Sequence, residues 1–177
     1  MLLRTTTLCS DASFSAKHKV ATWAVYIRTP SQTIKTSGVL KDTKEIKITS
    51  PFWAESMGLA NGLFLADKAT DLEKQKLIVY CDNITALTEI PVNKSPKSKY
   101  YGYRKLRHDF YKRHIKAVLE KASVYETRHV KGHLKKADWH KVSKRNYMND
   151  WCDKEAKKLL REEISAMKGL NEQTNNH

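Results

Sequence analysis

The sequence predicts a single α/β domain in which a mixed sheet is flanked by helices. Three features of its 177 residues carry that expectation. Ala21, Trp23, Val25 and Ile27 alternate with polar or small residues, as in a half-buried strand, and a turn and a second β-prone run follow. Leu77-Ile78-Val79-Tyr80-Cys81 is a continuous apolar run, suited to a central strand covered on both faces. Around that run, apolar residues recur at helical spacing, so that three strands are followed by helix, strand, helix, strand and helix.

The elements follow in chain order. Leu2 to Asp11 is a β-prone run. Thr29-Pro30-Ser31-Gln32 makes a turn, and Thr33 to Leu40 returns as the second arm of a hairpin. Ser50-Pro51 is an N-cap and first-turn pair, after which Phe52, Leu59, Leu63 and Ala66 mark a helix. The buried strand spans Lys76 to Asp82. Tyr103, Leu106, Phe110, Val118 and Leu119 mark a long amphipathic helix over 98–121, Ala122 to Val130 is a further strand, and Met148 to Met167 a closing helix. The domain is expected to span 1–168, with 169–177 a flexible tail, since Asn171 to His177 is uniformly polar.

Composition narrows the partners. Lys and Arg number 33 against 19 Asp and Glu, a formal net charge of +14, which favours a polyanion. No run approaches the ~20 apolar residues of a spanning helix, and Met1 to Ser10 lacks the apolar core of a signal peptide, so no membrane partner is expected. Cys9, Cys81 and Cys152 show no CxxC spacing and read as free thiols of a cytoplasmic, reducing compartment, packed as small soft residues.

Four acids fall at telling places. Asp11 ends the first strand, Glu55 lies near the start of the first long helix, Asp82 closes the apolar strand, and Asp153 lies in the last helix. A charge at the end of a wholly apolar strand sits at the rim of the core, where desolvation is costly. In open α/β sheets such strand ends line the functional crevice. Carboxylates gathered there repel unless a hard cation neutralises them, and Mg²⁺ takes oxygen ligands of this kind. Two ions about 3.5–4 Å apart can activate water and stabilise a leaving oxygen in phosphodiester cleavage. Asp150 is a rival to Asp153, three residues away on the same helix, and spacing to Ala156 favours Asp153.

The motifs together resemble the type 1 ribonuclease H family, from about residue 5 to 165. They are Asp11-Ala12-Ser13 at the first strand's end, Ala54-Glu55 in the first helix, Asp82-Asn83 after the fourth strand, Val130-Lys131-Gly132-His133 after the fifth, and Asn149, Cys152, Asp153 and Ala156 in the last helix. The resemblance implies a ribonuclease H-like sheet of five strands, three antiparallel and then two parallel. It implies an endonuclease cutting the RNA strand of RNA–DNA hybrids, with two Mg²⁺ ions, or Mn²⁺, held by Asp11, Glu55, Asp82 and Asp153, and no obligate protein partner. His133 matches the family's mobile histidine, which assists proton transfer or product release; an imidazole titrates near operating pH. Nucleic-acid contacts are implied for Ser13, Asn83 and Asn149.

The positive charge is localised. Nine Lys and Arg stand between Lys94 and Lys116 against Asp109 alone, and six between Lys131 and Arg145 against Asp138. The first window matches the family's basic handle, giving Lys94, Lys97, Lys99, Arg104, Lys105 and Arg107 as phosphate contacts. Lys135, Lys136 and Trp139 in the second are expected to meet the nucleic acid too, Trp139 by stacking. Two departures stand out. The turn Phe14 to Lys19 and Pro51 replace groups with which cellular members read 2′-hydroxyls, and the Ser-Pro-x-x-Ala-Glu pattern is closer to a plant and retroelement-like branch. Twenty residues separate His133 from Asp153, about double the family's spacing, and the extra Leu134 to Met148 is basic. A DNA-directed nuclease of the same fold (resolvase- or integrase-like) and an inactive nucleic-acid-binding module are the alternatives.

Overall fold

The computed structural model of the protein describes residues 3–44, 46–83, 101–130 and 144–174, the side chains of 101–104, 144–145 and 170–174 excepted. Its sheet contains β1 (Arg4–Ser15), β2 (Val20–Arg28), β3 (Thr33–Leu40), β4 (Gln75–Cys81) and β5 (Val124–His129), in the order β3-β2-β1-β4-β5. The first three strands are antiparallel, while β4 and β5 run parallel to β1. This is the mixed five-stranded sheet that the sequence predicts.

Local chemistry makes the two hairpins. Lys19 takes a left-handed conformation, φ 52°, to turn the chain from β1 into β2. Between β2 and β3 the Thr29 hydroxyl accepts the backbone N–H groups of Ser31 and Gln32 at 3.2 and 3.0 Å, a side-chain-stabilised turn. The first strand runs four residues past Asp11, the expected end, because Ala12 to Ser15 pair with Trp23 to Val20 on the antiparallel side.

Helix α1 (Pro51–Ala69) starts on Ser50, whose extended backbone marks the N-cap although its side chain makes no capping hydrogen bond. Two glycines let it lie close on the sheet. A Cβ on Gly62 would stand 2.8 Å from Val25 Cγ1, and one on Gly58 3.2 Å from the Trp23 Cβ. Helix α2 is a continuous run of three parts: Tyr101–Phe110, a π-helical stretch Tyr111–Lys116, and Ala117–Leu119. The wider π turn brings both Phe110 and Ile115, five residues apart, into the core. Helix α3 (Lys144–Thr174) is longer at both ends than the expected Met148 to Met167. It therefore takes in the end of the basic insertion and much of the segment expected as a tail.

Two cores result, one on each face of the sheet. Leu8, Val25, Ile27, Leu77 and Val79 pack with Leu59 and Leu63 of α1 and with Phe110, Ile115 and Leu119 of α2. On the other face Cys9, Ala24, Ile78 and Tyr80 pack with Met148, Cys152 and Ala156 of α3. The alternation of the strands explains the split, because odd-numbered Cys9 and even-numbered Leu8 point to opposite faces. Among the described residues no helix is long and apolar enough to cross a membrane.

Candidate active site

The parallel pairing of β1 with β4 positions the first two acids. Its register ends at Cys9 opposite Tyr80, so Asp11 and Asp82 each stand two residues beyond the last pair, at the carboxyl end of the parallel strands. The acids come together because the parallel pairing of β1 with β4 stops at the same distance before each of them. Glu55 arrives from α1, in its second turn, and Asp153 from α3, which crosses the opposite face of the sheet.

Asp11 is 4 % exposed. Its Oδ1 accepts the Ala12 N–H at 2.7 Å, while Oδ2, and likewise Glu55 Oε2, is buried with no hydrogen-bond donor among the described residues. The two carboxyls meet, and the Glu55 carboxyl, as the acid, donates to Asp11. Burial first, then the charges of Asp82 and Asp153, raise Asp11 to about 7, against the opposing Ala12 and Glu55 hydrogen bonds. Burial first, then the charges of Asp11 and Asp82, raise Glu55 to about 10. Like charges in a dry pocket cannot all ionise unaided.

That is the environment a hard cation relieves. Carboxylate oxygens from separate chain segments, two of them (Asp11 Oδ2 and Glu55 Oε2) buried without a hydrogen-bond partner among the described residues, are the donor set that Mg²⁺ or Mn²⁺ takes, so the residues fit such an ion. Ligand atoms of Glu55, Asp82 and Cys81 lie within 4.8 Å of one another. The fourth acid, Asp153, is near enough to raise Asp11, and its Oδ1 is bridged at 2.6 Å by Lys157. Its rival Asp150 instead pairs on the surface with Lys154 at 2.7 Å.

The remaining expected residues separate. Ser13 is half-buried in β1 opposite Thr22, and Asn83 is half-buried beside Asp82. Asn149 is 4 % exposed, its Oδ1 accepting the Cys9 thiol at 3.6 Å. Lys105 pairs with Asp109 at 2.9 Å. The Arg107 guanidinium stacks 3.4 Å from the centre of the Phe52 ring, back against α1. Lys94, Lys97, Lys99, His133, Lys135, Lys136 and Trp139 lie outside the described residues, as does the side chain of Arg104.

Two neighbours of the site, Lys157 and His129, escaped the sequence reading as contributors to it, and a third, Cys81, stands beside Asp82 in the sequence and reads there as packing in preference to a thiolate metal site. Lys157 had one available signal, its i,i+4 spacing from Asp153. His129, at the end of β5 in register with Cys81, meets the Asp82 backbone carbonyl through Nε2 at 3.1 Å. Cys81 is buried, as packing suggested, and burial first, then the Glu55 charge, hold its thiol well above the usual range. Its sulfur nevertheless borders the carboxylates: the neighbour Asp82 is evident from the sequence, and Glu55 is brought to it by the fold.

No protein-family model matches the chain, and no curated protein matches it in sequence. Solved structures do match in three dimensions. The N-terminal RNase H domain of Rv2228c from Mycobacterium tuberculosis, solved as a fusion with maltose-binding protein, is similar with a TM-score of 0.50 and 14 % identity, over 90 % of this chain and 98 % of that one. RNase H1 of the halophilic archaeon Halobacterium salinarum gives 0.50 and 14 %, over 86 % and 96 %. LC11-RNase H1, solved in complex with an RNA/DNA hybrid, gives 0.52 and 15 %, over 88 % and 99 %. The fold is ribonuclease H-like.

Proposed function

We propose, from this ribonuclease H-like fold and its carboxylates, that the protein is a metal-dependent endonuclease that hydrolyses the RNA strand of RNA–DNA hybrids. The observation that carries the reading is the convergence of Asp11, Glu55, Asp82 and Asp153, in which Asp11 Oδ2 and Glu55 Oε2 are buried with no hydrogen-bond partner among the described residues. A fold alone hosts many functions, so the site must bear the argument. The complex of LC11-RNase H1 with an RNA/DNA hybrid supports the choice of substrate, as does a net charge of +14.

Asp11, Glu55, Asp82 and Asp153 would hold two divalent cations, Mg²⁺ or Mn²⁺. When bound, such a pair supplies an acidified water and a charge that stabilises the leaving 3′-oxygen. The chain's own residues do the rest. Rigid β1 and β4 fix two carboxylates against the sheet, so little reorganisation is needed at the moment of reaction. Glu55 and Asp11, both held towards the protonated form by burial, would give up their protons to solvent on holding such ions. His133 is assigned the movement of a proton near the scissile phosphate, where general acid–base groups contribute about 10²–10⁴-fold. Lys94, Lys97, Lys99, Arg104 and Lys105 are assigned the backbone of the hybrid, and Lys135, Lys136 and Trp139 further contacts to it. Ser13 and Asn83, half-buried beside Asp11 and Asp82, are assigned contacts to the strand being cut. Three buried free thiols suit a reducing compartment.

Pro51 offers no amide four residues before Glu55, and Asn149 is buried, so discrimination by 2′-hydroxyl contacts has fewer side chains to draw on. This favours a test that separates strands. Matched hybrid, duplex DNA, duplex RNA and single strands are offered with Mg²⁺, and cleavage confined to the RNA of the hybrid is expected. Equal rates on DNA strands would replace this reading by a DNA-directed nuclease of the same fold.

A further inference from the structure

Cys81 stands one residue before Asp82, at the last position of β4, and is 1 % exposed. A cysteine closing a strand under a helix is ordinary core, and Cys9 and Cys152 fit that description. Both are wholly buried under α3, the Cys152 thiol donating to the Cys9 carbonyl at 3.5 Å and the Cys9 thiol to Asn149. Cys81 differs. It belongs to the opposite face, with α1, and its Sγ lies with a Glu55 oxygen and an Asp82 oxygen in one group of ligand atoms no more than 4.8 Å apart. Among the described residues its sulfur hydrogen-bonds to the Asn83 backbone, donating to the carbonyl and accepting the N–H, both at 3.4 Å.

An acidic cluster with one thiol nearby is weak by itself. The second observation is that Glu55 Oε2, and Oδ2 of the neighbouring Asp11, itself 4 % exposed, are buried with no hydrogen-bond partner among the described residues. The pocket therefore holds a sulfur, two partly buried carboxylates and a further unsatisfied oxygen.

From this donor set we infer that Cys81, Glu55 and Asp82 form a mixed thiolate–carboxylate seat for a thiophilic divalent cation of the zinc class, which competes with the hard cation for the same two carboxylates. The inference rests on the proposed cation site and adds to it a ligand of different softness. Sulfur favours zinc-like ions over Mg²⁺, and zinc binds N/O/S sites more tightly than Mn²⁺. Zn–S at about 2.3 Å and Zn–O at about 2.0–2.2 Å give a tetrahedral S–O edge of roughly 3.5 Å, so shifts on the order of an ångström close the group around an ion. The ion takes the place of the thiol proton, which leaves to solvent. Such an ion ties Glu55 and Asp82 to Cys81 and inhibits hydrolysis by the protein.

Cadmium is the probe, because a cadmium–thiolate bond gives an ultraviolet charge-transfer band that no carboxylate produces. The metal-free full-length protein is titrated with Cd²⁺ and the band recorded. Saturation with a single equivalent is expected, with loss of the band in Cys81→Ser and its retention in the Cys9→Ala/Cys152→Ala double variant. Excess Mg²⁺ should weaken the binding, and Glu55→Gln or Asp82→Asn should weaken it by at least about tenfold, since even outer-shell partners of a metal are worth about 10–100-fold. A band that survives in Cys81→Ser, or that disappears with Cys9 and Cys152, overturns the inference. So does unchanged Cd²⁺ affinity in both carboxylate variants, a result that needs no folded Cys81→Ser. Failure of the hydrolase reading is distinguishable: a Cys81-dependent band without any cleavage of hybrid in Mg²⁺ sinks that reading alone, and cleavage without the band sinks this one alone.

Discussion

Glu55 on α1 and Asp11 on β1 meet carboxyl to carboxyl, the aspartate buried and the glutamate half-buried. Both groups are raised, Asp11 to about 7 and Glu55 to about 10, so the folded protein holds their protons to higher pH than the unfolded chain, where carboxyls titrate at about 4. Stability from this pair is therefore full below about pH 4 and falls as pH rises through 7 and towards 10. In EDTA, Asp11→Asn should be more stable than wild type at about pH 8, by a margin that shrinks towards pH 4. Thermal unfolding across that range checks it, and a pH-independent difference would contradict the raised carboxyls.

Removing Lys157 should help the hard cation slightly. Its ammonium occupies Asp153 Oδ1 at 2.6 Å, with the lysine side chain 48 % exposed and the aspartate 22 %. Partly exposed i,i+4 pairs are worth about 0.3–0.5 kcal/mol, which sets the effect at about twofold. Lys157→Met should lower the Mg²⁺ concentration for half-maximal cleavage by that factor. A loss of Mg²⁺ affinity would mean that Lys157 supports the site instead.

The basic stretch should split into two kinds of residue. Lys105→Glu should flatten the dependence of log K on log salt by about 1, one phosphate contact being worth about 0.9 on duplex DNA. Arg107→Ala should leave that slope alone and lower the melting temperature, because its guanidinium is spent on the Phe52 ring. Salt-titrated hybrid binding and thermal unfolding of both variants separate the roles; a flattened slope in Arg107→Ala would place it on the nucleic acid.

Gly62→Val should destabilise the fold by at least about 1–3 kcal/mol, the usual cost of overpacking. Even a Cβ there would meet Val25 Cγ1 at 2.8 Å and Leu8 Cδ1 at 3.2 Å, and α1 carries Glu55. Urea unfolding reads the stability, and a variant as stable as wild type would show that α1 can lift from the sheet without loss.

The strands and the four acids were legible because their signals are local. Alternation marks β2, an unbroken apolar run marks β4, and a charge closing such a run has few reasons to be there. Elements that depend on geometry beyond one turn were less so. The π stretch of α2 breaks the helical spacing, so Ile115 did not register although it is 1 % exposed. The start of α3 at Lys144 is hidden in a run of like charges that reads as loop but is compatible with a solvated helix face. Asn149 stands in the sequence as a motif residue implied to contact nucleic acid, and its burial beside Cys9 depends on how α3 packs on β1. Cys81 and Glu55 are adjacent only because α1 lies against β4's end, a relation that no spacing encodes.

The most direct test of the account is hybrid cleavage and hybrid binding measured side by side for Asp82→Asn in Mg²⁺. Asp82 stands at the end of β4 among Asp11, Glu55 and Asp153, and is assigned to the cation and not to the nucleic acid. Cleavage should be abolished while affinity for the hybrid stays close to that of the wild type. Substantial cleavage by Asp82→Asn, or by the wild-type protein in excess EDTA, would contradict a carboxylate-held metal centre.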